Sequence, residues 1–491
     1  AGTISYPPGW SARHLWNRAD FYPSPLDLIK FAVLFAAIFL AAPSIERGWQ
    51  AVRSRAAFGK LEEHCGLILA SIAALAILLR TIVYAWGGIA RATMMQDSAG
   101  YIQLAEGLLS GCGFARRIGT VCAAPDVIRT PGYPLFLAAM PSLSTAIAVQ
   151  VLLAGFMCFL IGRFLRLRFG PAAGITAALL ICLDLPSIQA DASVWTEGLF
   201  QPLIAVWVLA SLRALSRRAD GGATGDALLA GFVLSLAIMV RPVGQVLVVF
   251  APFPFLALSS HSWSRRAALA LIAAAIPALS IIGWSQRNFE CCGMRTVSAI
   301  APVNLYYYHA AGVLAHRTGR DFREVMGEFE IEQQCSLVRM IDGDPSAPSP
   351  MNPAIAAEMT RRAKTIILGA PATFVAGMLI RFLYLALWAA GTTTSLQGSE
   401  SGSHALQALV IYQLLWSAFV WCGIIRAVAL LKRQSLRDSL MILFPLLIAL
   451  LLLGVSANPA ATVRFRTPAV PLFAMVGAIG WFGIPRKAQA A

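Results

Sequence analysis

The chain has 491 residues, of which 58% are hydrophobic and only 13% are charged. Because ordinary soluble domains carry about 25% charged residues, this composition excludes a typical soluble protein. The net charge of +15 comes from short Lys and Arg clusters between apolar runs, a pattern typical of cytoplasmic membrane loops, so we expect membrane lipids and no nucleic acid as partners.

Apolar runs long enough to cross a hydrocarbon layer of roughly 30 Å recur along the whole chain. The sequence therefore predicts an all-α polytopic membrane protein with about 11 to 13 transmembrane helices, an amphipathic first outside loop and a small outside helical cap. In chain order the apolar runs lie near residues 28–43, 65–86, 146–165, 171–190, 197–214, 227–240, 243–259, 267–284, 371–390, 408–425, 439–456 and 468–484.

Basic clusters follow every second run among the first seven. Positive residues in short loops favour the cytoplasmic side, so these clusters place the intervening segments 87–145, 191–196, 241–242 and 285–365 on the other side. The clusters consist of Arg47, Arg53, Arg55 and Lys60, of Arg163, Arg166 and Arg168, of Arg213, Arg217 and Arg218, and of Arg265 and Arg266.

The next basic cluster, residues 426–437, would lie outside if the run 371–390 crossed the membrane completely. Arg381 lies in the middle of that run, and an arginine at the centre of a bilayer is costly. We therefore predict that 371–390 is a re-entrant or interfacial helix. This arrangement returns 426–437 to the cytoplasm and places Arg464 and Arg466 outside.

The apolar runs divide the chain into four regions. Residues 1–60 form an N-terminal extension with an additional apolar helix, and they are a candidate docking element for a membrane protein partner. The first ten residues lack the order of a cleavable signal peptide, so we expect insertion to rely on the helices themselves. The other regions are a membrane core, 61–284, which includes the outside loop 87–145, an outside cap, 285–365, and C-terminal membrane helices, 366–491.

The first outside loop carries the most informative motif. Asp97-Ser98 is followed by Tyr101, by a helix that ends in Gly-Cys-Gly-Phe at 111–114, and by Arg129-Thr130-Pro131-Gly132-Tyr133-Pro134. With these residues the sequence resembles the polyprenyl-phosphate-dependent C-type glycosyltransferases, the group that includes protein O-mannosyltransferases and the lipid A aminoarabinose transferase. Further matches, in the family's order, are Thr196-Glu197, Arg241-Pro242, Arg287-Asn288, Ser298, Asn304-Leu305-Tyr306 and Arg464-Phe465-Arg466-Thr467-Pro468.

The resemblance spans residues 65–484 and implies sugar transfer from a polyprenyl-phosphate donor by single displacement, on the periplasmic side of a bacterial inner membrane. A carboxylate at the membrane surface can serve as the base for an acceptor hydroxyl, and we expect Asp97 in that role. Arginines make forked, charge-assisted bonds to phosphate, so Arg241, Arg464 and Arg466 are candidate ligands of the donor phosphate. Candidate residues of the donor or acceptor pocket are Tyr101, Arg129, Glu197, Asn304 and Tyr306.

Most of these candidates also have a purely structural interpretation. Polar residues at helix ends commonly cap the helix, and arginines and aromatic residues at a membrane surface commonly anchor it. The structural alternatives are an N-cap for Asp97, a cap or an arginine partner for Glu197, a turn for Arg241-Pro242, headgroup anchors for Arg464 and Arg466, and an interfacial aromatic belt for Tyr306.

Cysteines and acidic residues of the first outside loop bear on disulfides and metals. Cys112 and Cys122 lie close together in the sequence of this loop, and because an oxidising compartment allows disulfides, we predict that they are joined.

No Cys-x-x-Cys pair or His-rich spacing predicts a zinc site. Gln96 and Ser98 flank Asp97 where protein O-mannosyltransferases place two acids, which counts against a metal held by paired acids and against a protein acceptor. The sequence requires no cofactor besides the donor substrate and leaves dependence on a divalent metal open.

We therefore expect a glycosyltransferase that moves a hexose or pentose from a polyprenyl-phosphate donor to a lipid, glycan or protein acceptor on the non-cytoplasmic face. Two alternatives stay open: a transporter or flippase for a lipid-linked substrate, and a catalytically silent scaffold subunit of a membrane complex. Transporter sites usually lie near the bilayer midplane on interrupted helices, whereas the polar motifs here gather at one face. Bound polyprenyl phosphate would separate a transferase from a scaffold.

Overall fold

A computed structural model describes residues 25–53, 56–94, 96–216, 222–258, 260–332, 352–387, 404–433, 435–459 and 461–483. In these ranges nine helices are long and apolar enough to cross a membrane, or up to eleven if each of two bent helix pairs forms one span. The prediction of an all-α polytopic membrane protein is confirmed. The nine are Pro25–Arg53, Ala56–Ala92, Leu143–Phe169, Glu197–Ser216, Ala223–Val240, Trp263–Cys292, His404–Leu430, Leu436–Ser456, and Val463–Ala469 with Val470–Phe482.

The run predicted near 171–190 is a broken helix. Pro171–Cys182 and Leu185–Asp191 meet at an angle of 62°. The break falls at Asp184, whose side chain accepts a hydrogen bond from the backbone N–H of Ser187 and so caps the second helix. Pro186, in the first turn of that helix, is also typical of a helix start.

The predicted re-entrant segment belongs to the second bent pair, Pro353–Leu368 and Pro371–Leu387, which meet at 97°. This angle fits either a broken span or a re-entrant loop. Arg381 is only 3% exposed, and its guanidinium lies 5.5 Å from the ring centroid of Tyr384. Protein therefore surrounds Arg381, as is usual for intramembrane arginines. The non-crossing arrangement stays a prediction that rests on the basic clusters.

The side of the membrane occupied by residues 426–437 tests that arrangement. Ser435 is exposed in the structure, and Thr318 is exposed in the outside cap. In a variant that lacks the native cysteines of the outside face, we expect Ser435→Cys to resist impermeant thiol reagents in intact cells, because basic loops stay in the cytoplasm. Thr318→Cys is the reactive control. Labelling of both positions would place 426–437 outside and remove the re-entrant arrangement.

The first outside loop contains the predicted amphipathic helix and a small hairpin. The two strands pair antiparallel, with Arg117 opposite Cys122. The structure joins Cys112 and Cys122 in a disulfide, with their Cα atoms 5.6 Å apart, so the bridge ties the end of the helix to the hairpin. The elements are helix Gln96–Leu109, strands Ala115–Ile118 and Val121–Pro125, and helix Gly132–Ala138.

The outside cap packs around an apolar core of its own. Tyr306 and Tyr307 are fully buried there, and the ring of Tyr306 stacks on Phe329 with 4.4 Å between the centroids. Helix Pro353–Leu368 closes this core with Met359. The other short elements are Pro242–Phe250 and Phe253–Leu256 between two spans, Ile300–Val303, Asn304–Ala310, Ala311–Thr318 and Phe322–Glu332 in the cap, and Leu431–Arg433.

Burial differs strongly between the spans. In the last span, 89% of the apolar stretch is buried, against 11% in Ile29–Gly48 and 22% in Leu61–Ala92. Small residues allow the last span to pack closely: a Cβ added to Gly480 would lie 1.8 Å from the backbone oxygen of Gly423. Such small-residue contacts are typical of membrane helix pairs. The last span is therefore central in the bundle, and the first two are peripheral.

Candidate functional site

Five charged side chains from distant parts of the chain meet at one end of the spans. Arg464 Nη2 donates to Asp97 Oδ2, and Arg464 Nε lies 3.6 Å from Glu197 Oε1. Arg129 Nη2 lies 3.5 Å from Asp97 Oδ1, and Arg241 Nη1 lies 2.5 Å from Glu197 Oε1. We call these five residues the charged cluster. Its three guanidinium groups and two carboxylates leave one excess positive charge.

The ends of three spans bring members of the charged cluster to the same face. Glu197 begins one span, Arg241 follows the last residue of the next, and Arg464 lies in the segment that leads into the last span. Pro242 disfavours helical backbone at the residue before it, so helix Ala223–Val240 ends there. Arg241 is extended, with φ −146° and ψ 117°, and its guanidinium reaches Glu197.

Arg129 is held in place by the turn that precedes it. Asp126 Oδ1 accepts a hydrogen bond from the Arg129 backbone N–H at 2.8 Å, and Asp126 Oδ2 pairs with Arg116 Nε at 3.1 Å in a buried ion pair. Arg287 Nη1 donates to the backbone oxygen of Asp126 at 2.7 Å. Gly100 leaves the necessary space, because a Cβ there would lie 2.7 Å from Arg129 Nη2.

Aromatic rings cover the flat faces of the guanidinium groups. The Arg464 guanidinium lies 5.3 Å from the ring centroid of Trp195 and 5.1 Å from that of Phe465, and the Arg129 guanidinium lies 4.5 Å from that of Tyr101. Such contacts stabilise the positive charge and fix the orientation of the planar guanidinium group. Trp195 and Phe465 were not among the site candidates, although Trp195 directly precedes the matched Thr196-Glu197 and Phe465 lies within the matched motif at 464–468.

The two carboxylates of the charged cluster differ in exposure. The Glu197 side chain is 2% exposed, whereas that of Asp97 is 35% exposed. Asp97 lies in the first turn of helix Gln96–Leu109, where an acidic side chain also favours the helix. Among the residues that the structure describes, no three His, Cys, Asp or Glu side chains come together as metal ligands would.

Burial and charge act in opposite directions on the pKa of Asp97. Burial raises it, but Arg464 and Arg129 lower it by more, and the result is a pKa of about 2. Asp97 is therefore ionised at any physiological pH. A carboxylate with so low a pKa is a weak base as long as Arg464 holds it.

The lowered pKa of Asp97 predicts a pH signature of stability. Ionised Asp97 stabilises the fold above its ordinary pKa of 3.8, and this contribution is lost as the pH falls through about 2. We expect the difference in melting temperature between wild type and Asp97→Asn to stay constant from about pH 5 to pH 8 and to shrink only below about pH 4. A difference that shrinks already at about pH 6 would contradict the ion pairing of Asp97.

Arg466 lies two residues from Arg464 but in other surroundings. It is 1% exposed, its Nη2 lies 2.5 Å from Asp184 Oδ1, and its Nη1 donates to Ser417 Oγ at 3.3 Å. We call Arg466 and Asp184 the buried pair. The structure does not bring Arg466 into the charged cluster, and its depth also differs from that of a headgroup anchor.

Two further candidates lie in the outside cap. Tyr306 is a fully buried residue of the cap core, so packing accounts for it better than an interfacial aromatic belt does. Asn304 is partly buried at the start of the same segment, Asn304–Ala310. Of the nine residues predicted for catalysis, phosphate binding or the pocket, the structure gathers Asp97, Tyr101, Arg129, Glu197, Arg241 and Arg464.

Comparisons with known proteins gave likenesses in structure only. No family model matches the chain, and no curated protein matches its sequence. Similar solved structures include the Archaeoglobus fulgidus oligosaccharyltransferase in the apo form, at 14% identity and a TM-score of 0.47, covering 85% of this chain and 50% of that chain. The archaeal oligosaccharyltransferase AglB from the same organism, in complex with an inhibitory peptide and a dolichol-phosphate, has 13% identity and a TM-score of 0.45, covering 84% and 49%.

A third similar structure is ArnT from Cupriavidus metallidurans bound to undecaprenyl phosphate. It has 13% identity and a TM-score of 0.32, covering 83% of this chain and 77% of that chain. The present chain thus spans about half the length of the oligosaccharyltransferase to which it is similar.

Proposed function

We propose that this protein is a membrane glycosyltransferase that moves a sugar from a polyprenyl-phosphate donor to a lipid, glycan or protein acceptor on the periplasmic face of a bacterial inner membrane. The observation that carries the proposal is the charged cluster, in which Asp97 and Glu197 meet three arginines where the spans end. A sugar phosphodiester carries one negative charge, which matches the one excess positive charge of the cluster. Arginine is the residue best suited to bind such a phosphate.

The charges of the cluster also suit the course of the reaction. An acceptor hydroxyl oxygen attacks the anomeric carbon, its proton passes to the Asp97 carboxylate, and the bond from that carbon to the phosphate oxygen breaks. The electron pair of the broken bond stays on the phosphate, which thereby gains a second negative charge. Guanidinium groups fixed around that phosphate stabilise the developing charge in the transition state. One displacement of this kind inverts the configuration of the sugar.

Arg464 is the residue on which phosphate binding depends most, because it contacts both carboxylates of the cluster. We expect Arg464→Gln to weaken binding of undecaprenyl phosphate in phosphatidylcholine nanodiscs by about 10- to 100-fold, since a charge-assisted bond contributes roughly 1.5 to 3 kcal/mol. Arg464→Lys keeps the positive charge but loses the forked guanidinium geometry, so its loss of binding affinity should be smaller. Arg320→Gln, on the exposed surface of the cap, is the matched control. Unchanged binding in Arg464→Gln would contradict the proposed site.

The lipid that copurifies with the protein provides an independent test. We expect mass spectrometry of a lipid extract to find a polyprenyl phosphate with the wild type and to find much less with Arg464→Gln. A labelled sugar should then pass from the corresponding polyprenyl-phosphate donor to an acceptor in reconstituted membranes. Movement of the donor across vesicles without sugar transfer would support the transporter alternative, and absence of both binding and transfer would support a scaffold.

A further inference from the structure

The two carboxylates of the charged cluster have different roles. We infer that Asp97 occupies the place of the donor phosphate in the ligand-free site and gives up Arg464 when the donor binds, whereas Glu197 remains the permanent counter-ion of the arginines. This inference rests on the proposed function, because it assumes that the arginines bind the donor phosphate. It adds an order to the reaction, in which the donor binds before the base becomes effective.

Glu197 is fixed by a closed set of contacts. Its Oε1 lies 2.5 Å from Arg241 Nη1, its Oε2 accepts a hydrogen bond from Thr196 Oγ1 at 3.1 Å, and Arg241 Nη1 also donates to Thr196 Oγ1 at 3.0 Å. The Glu197 side chain is 2% exposed and that of Arg241 is 14% exposed. A buried charge that loses its partner is strongly destabilising. Glu197 therefore has to keep its arginines in every state of the site.

Asp97 lies on the solvent-accessible side of Arg464. Its side chain is 35% exposed, its helix belongs to the outside loop, and its contacts in the cluster are Arg464 and Arg129. Asp97 keeps contact with solvent whereas Glu197 does not, so an incoming anion can replace Asp97 on Arg464 without leaving a fully buried carboxylate unpaired. A donor phosphate that enters the cluster meets Arg464 where Asp97 already holds it, and the two negative groups would repel each other.

The exchange changes Asp97 as well as Arg464. In the ligand-free site Arg464 contributes strongly to the low pKa of Asp97. Once Arg464 pairs with the phosphate instead of Asp97, the pKa of Asp97 rises toward its ordinary value, and the carboxylate becomes a better base. The site thus keeps its base inactive until a donor phosphate is present, which protects the acceptor site from unproductive proton transfer.

Two substitutions that each remove a negative charge test the inference, because they should change donor binding in opposite directions. We expect Asp97→Asn to tighten binding of undecaprenyl phosphate in phosphatidylcholine nanodiscs by about 3- to 10-fold, because the competing carboxylate is gone. Asp97→Ala should shift binding in the same direction, and it removes any bond from the asparagine side chain. Glu197→Gln removes the same charge but should weaken binding, because Arg241 and Arg464 lose the anchor they share.

Two remote carboxylates are matched controls. Asp438 is partly exposed and pairs with Arg168 at 3.3 Å, so Asp438→Asn matches the change at Asp97. Asp226 is fully buried and pairs with Arg213, so Asp226→Asn matches the change at Glu197. Neither control should alter phosphate binding by more than about twofold, because each lies in the first turn of a span whose other end leads to the charged cluster, and the length of such a span exceeds the Debye length. The melting temperature of each variant identifies any that fail to fold.

The possible results separate this inference from the proposed function. Unchanged or weaker binding in both Asp97→Asn and Asp97→Ala, with binding still lost in Arg464→Gln, would overturn the exchange and leave the phosphate site intact. Equal tightening in Asp97→Asn and Glu197→Gln would also overturn it, because the effect would then come from total charge. Binding of undecaprenyl phosphate that is unchanged in Arg464→Gln would contradict the proposed function itself.

Discussion

Asp97→Asn is expected to lower sugar transfer by about 10² to 10⁴, the usual contribution of a general base. Asparagine keeps the shape of the side chain and its suitability for a helix start, so the protein should fold. Donor binding should survive, because the arginines that hold the phosphate are unchanged. Turnover at saturating donor, measured in reconstituted membranes, therefore distinguishes a catalytic carboxylate from a structural one.

The matched control for this experiment is Asp438→Asn. Asp438 also pairs with an arginine, at 3.3 Å, and its side chain is 27% exposed, so the control reproduces the loss of a partly exposed ion pair. It should transfer sugar at the wild-type rate. Full activity in Asp97→Asn would end the catalytic role of Asp97. Loss of activity together with loss of folding would assign Asp97 to structure.

Arg466→Met is expected to lower the free energy of unfolding by about 3 to 5 kcal/mol, because it leaves a buried carboxylate without its cation. Asp184 is fully buried, and it accepts hydrogen bonds from Arg466, from Gln413 and from Ser187. Methionine preserves much of the volume but none of the charge. The melting temperature in detergent should therefore fall well below that of the wild type.

Arg168→Met is the control for the buried pair. Arg168 and Asp438 are 25% and 27% exposed, and an exposed ion pair contributes at most about 1 kcal/mol. Adding Asp184→Asn to Arg466→Met should restore part of the lost stability, because the uncompensated charge is then removed. A melting temperature unchanged in Arg466→Met would show that Asp184 finds another partner, and would reopen a surface role for Arg466.

Topology explains why much of the charged cluster could be predicted. Asp97 and Arg464 are 367 residues apart, yet the alternation of basic clusters placed both on the non-cytoplasmic side. Glu197 and Arg241 follow from the same argument, because each lies at the end of a span. The sequence thus predicted that these residues share one face, whereas the individual pairings required the structure.

The buried pair was not predictable in the same way. Asp184 lies inside an apolar run, and although Pro186 is typical of a helix start there, the pairing of Asp184 with Arg466 could not be predicted from the sequence. A second buried pair, Arg80 and Asp191 at 2.7 Å, was also missed. An ionisable residue within an apolar run is itself a signal of a buried partner or a functional site, so Arg80 could have been singled out. The burial of Tyr306 in the cap core was also not predicted, because it depends on tertiary packing.

The short segment Val463–Ala469 carries both Arg464 and Arg466, and it therefore fixes the depth of the last span in the membrane. A slip by one helical turn, about 5.4 Å, would separate both arginines from their partners at once. Membranes of different thickness must then be accommodated by tilting of other helices. The peripheral span Ile29–Gly48, with 11% of its apolar stretch buried, has the freedom to tilt. The charged cluster should thus keep a constant distance from the outer headgroups when the bilayer thins or thickens.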